Sequence, residues 1–391
     1  MTRTHSDGAS RGTRLPADDP RRLWLQVHLW LGLTLGIVGA LIGLTGSALV
    51  FDHEIDAWLN PQRYAVSGAQ VALPYAEYVR RASQSVADRA RPTNLRLPEA
   101  DGLPVVVFAR ARAEGGGFHR VYLDPPTGRV LDTSAGGGLV AWAHSFHESL
   151  TLRDYKGREI VGVVGCAMLI SSLSGIYLWW PPRGLGRRAF RFRPGLAPSR
   201  NLHYTFGFYG LLVLAMLSFT GIFLAFPEPG RAVIAAFGPI SASPRGIQAP
   251  ESPGASISPD EAAGIALALY PEANVTGLGL PAGPRGVYRV NLRGASDASA
   301  RLGPVVFLDP RTGAVLVRAD RATRTGGDAF LAWQRVLHEG EAFGSVGRIV
   351  ICAAGLLPAL LVITGSIMWL RQRRGPQRAR FAGAVAPGAD G

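Results

Sequence analysis

The chain has 391 residues and a formal net charge of +13, with 41 basic residues against 28 acidic ones and 47% hydrophobic residues. Its basic excess sits in three short segments between apolar runs, a distribution that marks membrane topology and argues against a nucleic-acid interface. Cys166 and Cys352 both lie inside apolar runs at unmatched positions, so no disulfide framework is expected and both read as small buried side chains.

Residues 1–22 form a basic tail with five arginines and three aspartates. The apolar run 23–51 opens near His28 and passes through Thr45-Gly46 to Phe51. It exceeds the apolar core of a secretory signal and lacks a clear cleavage pattern, so it reads as a first transmembrane helix. The polar stretch 52–157 carries twelve basic and twelve acidic residues and is long enough for a small domain. Within it a helix is expected over 75–89 and strands at 105–109, 121–123 and 130–131, with a turn at Asp124-Pro125-Pro126-Thr127-Gly128. Trp142 then precedes His147-Glu148 by five residues, and a second span covers 158–180.

The joining loop, 181–201, is strongly basic: residues 181–200 contain six arginines and no acid. A third span, 202–226, opens at His203 and passes through Thr220-Gly221 to Phe226. The second polar stretch, 227–345, has eleven basic and eleven acidic residues. A helix is expected over 258–270, because Ser258, Pro259 and Glu261 supply a cap, a first-turn proline and a capping-box glutamate. Strands follow at 287–292, 305–308 and 314–317, with a turn at Asp309-Pro310-Arg311-Thr312-Gly313; 241–257, 294–303 and 115–117 read as loops. Trp333 precedes His338-Glu339 by five residues, the fourth span covers 346–370, and the tail 371–391 holds five arginines and one aspartate. The three basic segments carry +12 of the total +13. Short basic segments stay inside, so the expected topology is N-in and C-in, with both polar domains outside.

The chain states its pattern twice. His28 to Thr45 and His203 to Thr220 are both 17 residues, and His28 to Phe51 and His203 to Phe226 are both 23. Two parallel halves, 23–180 and 202–370, are related by an axis along the membrane normal. A two-fold bundle brings His28 and His203 to one depth near the inner face, and His147 and His338 to one depth near the outer face. One boundary histidine more often bonds a neighbouring helix; four in matched positions point to shared ligands. Two facing imidazoles suit the axial positions of a haem iron, so the expectation is two haem b groups stacked across the bilayer, with all four histidines as metal ligands. Arg158 and Arg348 at the outer mouths, and Arg22 and Arg200 at the inner ones, could pair with haem propionates, or equally with lipid headgroups. His144, three residues before His147, competes with it as a ligand but has no counterpart, since residue 335 is arginine. His5, His53 and His119 have no matched partners. The chain has no zincin, nucleophile-elbow, P-loop or dinucleotide motif, so any flavin or nicotinamide belongs to another protein.

His28 with Leu44-Thr45-Gly46 and Phe51, Asp56-Ala57-Trp58-Leu59-Asn60-Pro61, His147-Glu148 and Ser174-Gly175-Ile176-Tyr177-Leu178-Trp179-Trp180-Pro181 resemble the PepSY-associated transmembrane proteins over about 20–375. The resemblance implies a membrane α-helical protein with four transmembrane helices in two parallel pseudo-repeats and two small α+β PepSY-like extracytoplasmic domains. It also implies a bacterial inner-membrane location and, from some members, reduction of ferric siderophores through b-type haem. The second half departs from the pattern after Trp369, which is followed by Leu370-Arg371. The leading expectation is a reductase that takes electrons from quinol or a cytoplasmic reductase and passes them to a ferric siderophore or other iron chelate outside. The competing expectations are a membrane-anchored peptide- or protease-binding or sensory protein, and an accessory subunit of metal uptake.

Overall fold

The computed structural model describes residues 19–112, 117–180, 197–241, 246–251, 255–297 and 299–384. Gly115-Gly116 and loop residues 181–196 lie outside the described residues. The first apolar run forms two helices, α1 (Pro20–Leu33) and α2 (Leu35–Leu49), that meet at a 53° bend. This corrects the expectation of one uninterrupted helix over 23–51. Thr34 leaves helical geometry at φ −104° and ψ −83°, and both its amide (3.0 Å) and its hydroxyl (2.7 Å) donate to the Trp30 carbonyl. A hydroxyl that bonds the preceding turn bends a helix in this way.

The chain continues through α3 (Asp52–Leu59), α4 (Tyr75–Val86), β1 (Ala90–Arg96), β2 (Val105–Ala111), β3 (Phe118–Leu123), β4 (Val130–Ser134), α5 (Leu139–Ser149) and α6 (Gly157–Trp179). The second half comprises α7 (Pro198–Ala225), α8 (Pro227–Ala235), α9 (Pro259–Leu269), β5 (Ala273–Gly279), β6 (Tyr288–Gly294), β7 (Val305–Leu308), β8 (Val315–Ala319), α10 (Gly326–His338) and α11 (Gly344–Ala384). By length and composition, three helical segments can cross a membrane: α6, α7 and Glu341–Arg374, the last mostly α11; the bent pair α1–α2 makes a fourth if it is one span. Helix α11 continues well past residue 370, where the tail was expected to begin.

In the helical layer α6 lies along α7, α11 along both α2 and α7, and α1 along α6. Small residues set the α2–α11 approach. A Cβ on Gly43 would stand 2.5 Å from the Gly355 carbonyl oxygen, and Ser47 donates to the Cys352 carbonyl at 2.7 Å. Gly36 and Gly39 meet Val362 and Met168 in the same manner, so these three glycines serve close helix packing.

Outside the helical layer, the two polar stretches, each expected to fold as its own domain, build one sheet together. Their four-stranded antiparallel units share an edge, giving one eight-stranded sheet in the order β4-β3-β2-β1-β5-β6-β7-β8. At the seam Asn94 pairs with Gly279, Leu95 with Leu278 and Arg96 with Gly277. Helices α4 and α9 cover one face, where Tyr78, Ala82, Val86, Ala262 and Ala266 pack on Leu95, Val107, Val121, Leu278, Val290 and Val306 in a single core. Each fully buried valine or leucine there contributes roughly 1.5–3 kcal/mol. The capping box at Ser258 and Glu261 forms as expected. Helix α4 begins at Pro74 with no side-chain cap of its own; Asp260 of the other half accepts from the Tyr75 and Ala76 amides at 2.7 and 2.9 Å. Both Asp-Pro turns form, with Gly128 and Gly313 at φ +64° and +71°.

The sheet's other face carries the ties to the tops of the spans. Arg63, just beyond α3, reaches Asp132 of β4 at 2.6 Å and Asp56 at 2.7 Å, and stands 5.1 Å over the Tyr122 ring. Across the molecule, Ser299 bonds Glu341, and Arg301 bridges Glu339 (2.9 Å) and Glu341 (3.3 Å).

Candidate functional site

Two histidine pairs form, each across the two halves. The His28 and His203 rings lie 6.2 Å apart, centroid to centroid, with planes crossing at 86°. His147 and His338 lie 6.1 Å apart at 55°. His28 and His203 sit on α1 and α7; His147 and His338 sit on α5 and α10, short helices that precede α6 and α11.

Every one of the four imidazoles is held through Nδ1 by a neighbouring helix. His28 Nδ1 lies 3.1 Å from the Ser171 carbonyl and 3.1 Å from Ser174 Oγ on α6. His147 Nδ1 lies 2.9 Å from the Ile42 carbonyl and 3.5 Å from Thr45 Oγ1 on α2. His203 Nδ1 meets Thr364 Oγ1 of α11 at 3.0 Å, and His338 Nδ1 meets Thr220 Oγ1 of α7 at 2.8 Å. A carbonyl only accepts, so Nδ1 carries the proton in His28 and His147. Thr364 and Thr220 direct their own hydroxyl protons to the Leu360 and Met216 carbonyls at 2.7 and 2.8 Å. Their oxygens therefore accept from the imidazole, and His203 and His338 carry the proton on Nδ1 as well. The lone pair of each ring is thereby left on Nε2, which makes no hydrogen bond among the described residues.

A glycine lies against the Cε1 edge of each ring. A Cβ on Gly175, Gly221 or Gly365 would stand 3.3 Å from Cε1 of His28, His338 or His203, and one on Gly46 would stand 2.7 Å from Cε1 of His147. In each case the glycine follows the hydroxyl residue directly: Thr45-Gly46, Ser174-Gly175, Thr220-Gly221 and Thr364-Gly365. None of Ile42, Thr45, Ser171, Ser174, Thr220 and Thr364 was anticipated as a partner of a histidine; Thr45 and Thr220 stood out only as register-matched positions of the repeat. The signal for them is this hydroxyl-glycine dipeptide, present in all four spans.

The other expected residues are placed elsewhere. His144 bonds Asp52 at 3.2 Å, which leaves His147 to face the other half. Burial would raise the Asp52 carboxyl, but the His144 hydrogen bond and the charges of His53 and His144 outweigh it and hold the carboxyl below its ordinary value. Arg335, at the position matching His144, likewise takes an acid, Glu339, at 2.8 Å. Arg158 donates to the Leu224 carbonyl on α7. Arg348 donates to the Val50 carbonyl (2.6 Å) and Glu54 (2.8 Å) and covers the Phe51 ring at 4.8 Å. Both arginines cross-tie the helix tops. His119 lies on β3 and His53 on α3, neither in contact with the pairs, and His5 lies outside the described residues.

The pairs fit a haem iron on three counts. Two imidazoles bonded through Nε2 at about 2 Å to opposite sides of one metal place their centroids about 6 Å apart. The bonded Nδ1–H is the outer-shell contact that fixes a ligating histidine's tautomer and ring orientation. The third is that Nε2 of each ring, the nitrogen left to bind a metal, makes no hydrogen bond among the described residues.

No match was found among curated proteins. A family model described as "PepSY-associated TM region" matches residues 25–372. With that match over nearly the whole length, the chain belongs to the PepSY-associated transmembrane family.

Proposed function

We propose that this membrane protein is a di-haem b reductase of the bacterial inner membrane, N-in and C-in, that delivers electrons to a ferric chelate such as a ferric siderophore on the outer side. The observation that carries this reading is the meeting of His28 with His203 and of His147 with His338 at 6.2 and 6.1 Å, with every Nδ1 already engaged. When bound, two b-type haems would supply one-electron transfer between the two faces, fed from quinol or a cytoplasmic reductase. The chain's own residues do the rest. The four histidines would hold the haem iron through their ring nitrogens. Ser171, Ser174, Ile42, Thr45, Thr220 and Thr364 hold each ring in one tautomer. Helix α11 packs against α2 and α7, and α6 against α7, so the helices that carry or hold the four histidines form one bundle. Reduction of iron(III) to iron(II) weakens its hold on hard oxygen ligands and releases it from a chelate.

The test is optical. Full-length protein purified in detergent should give a b-type reduced-minus-oxidised spectrum with close to two haems per chain, and an added ferric chelate should reoxidise the dithionite-reduced form. Colourless protein from haem-replete cells would end this reading.

A further inference from the structure

The helix-free face of the sheet has an unusual centre. Leu95, Leu278 and Val290 point into the core at the β1–β5–β6 seam, so their neighbours along each strand point the other way. Those neighbours are Asn94 and Arg96 of β1, Gly277 and Gly279 of β5, and Arg289 and Asn291 of β6. The middle strand thus presents bare backbone, flanked on both sides by an arginine and an asparagine. The glycines are enforced by space: a Cβ on Gly277 would stand 2.8 Å from the Leu95 carbonyl oxygen, and one on Gly279 would stand 3.2 Å from Arg289 Cβ.

Among the described residues, no carboxylate lies in salt-bridge contact with Arg96 or Arg289. Arg96 lies 5.1 Å over the Phe108 ring and Arg289 lies 5.9 Å over the Phe307 ring, which orients both guanidinium groups without neutralising them. Arg120, also over Phe108 at 5.9 Å and hydrogen-bonded to Tyr122, adds a third positive charge. Among the described residues, Asp132 pairs with Arg63 at 2.6 Å and Glu99 lies 3.7 Å from Arg293. Both seam arginines are reached by solvent, yet desolvation by the surrounding protein pulls each below its ordinary value, with like charge from Arg301 adding to the effect on Arg96 and Glu99 and Asp52 opposing it. Two solvent-reached guanidinium groups, each held over an aromatic ring and without a carboxylate in salt-bridge contact among the described residues, suit an external anion. Strands β1 and β6 are separated only by β5, about 10 Å backbone to backbone, so two arginine side chains can converge on one small molecule.

The same face carries the ties to the span tops. Arg301, within electrostatic range of Arg96, bridges to Glu339, the residue next to His338. We infer that this seam is the docking site of the ferric chelate, and that the chelate is an anionic, polycarboxylate type, gripped by Arg96 and Arg289 over the floor made by Gly277 and Gly279. The chelate's presence near the outer histidine pair rests on the reductase reading; its charge class rests on the seam.

The experiment is equilibrium dialysis of full-length protein in detergent against radiolabelled ferric citrate in excess citrate, with no reductant. Ferric citrate should bind, its affinity should fall as salt rises, and Arg96→Gln/Arg289→Gln should weaken it at least tenfold. Arg96→Lys/Arg289→Lys should retain most of the binding, and Arg80→Gln, on the helix-covered side, should leave it unchanged. Haem content should be the same in all variants. A cationic ferric trihydroxamate should bind weakly and be indifferent to these substitutions. Citrate binding that ignores the two arginines, or tighter binding of the cationic chelate, overturns the inference even if the protein contains haem. Arginine-dependent binding by a protein without haem would sink the reductase reading and leave the anion site standing.

Discussion

At the scale of single residues, the site is four copies of one device: an imidazole, a hydroxyl residue one helix away, and a glycine against the ring edge. Sequence made the histidines and two of the threonine-glycine pairs legible because they recur at matched offsets. That any of these hydroxyl residues holds a histidine was hidden, because partner and ring lie on different helices, Ser174 being 146 residues from His28 and Thr364 being 161 from His203. Gly46 is the tightest contact, so Gly46→Val should push His147 aside and remove one b-type signal while leaving the other, read from the reduced-minus-oxidised spectrum. Thr220→Val should keep the fold but strand the His338 Nδ1–H, at a cost of about 1–3 kcal/mol. Its expected readout is a shifted midpoint potential and haem retention lowered about 10–100-fold, seen as loss of haem during detergent washing.

Secondary-structure elements explain what the sequence concealed. Strands β1 and β5 escaped notice because their segments, Ala90–Arg96 and Ala273–Gly279, spend alternate positions on arginine, asparagine and glycine. Those residues line the helix-free face of the seam, so the missing strand signal and the polar, glycine-floored surface there have one cause. The break at Thr34 was unreadable within an unbroken apolar run, because one hydroxyl bonded to Trp30 decides it. Helix α4 offers a third case. Its length was nearly right from sequence, but its cap comes from Asp260, 185 residues away. Asp260→Ala should leave the Tyr75 and Ala76 amides without acceptors and destabilise the outer sheet by about 1–3 kcal/mol. Hydrogen exchange should show faster exchange at the first turn of α4 and along the β1–β5 seam, with the α6–α7 contact unchanged.

Over the whole molecule, the doubled sequence becomes a doubled structure. The halves meet along α2–α11 and α6–α7 in the helical layer and along β1–β5 above it, and every proposed ligand pair draws one histidine from each half. The register-matched repeat foretold the pairing. It could not foretell that the two outer domains share one sheet, because edge pairing depends on backbone groups that every residue carries. The most direct test of the central claim is the haem content of four single variants of the full-length protein. His28→Ala and His203→Ala should each abolish the same one of two b-type signals, and His147→Ala and His338→Ala should each abolish the other. Full haem content in all four, or losses that group 28 with 147 instead of with 203, would contradict the account.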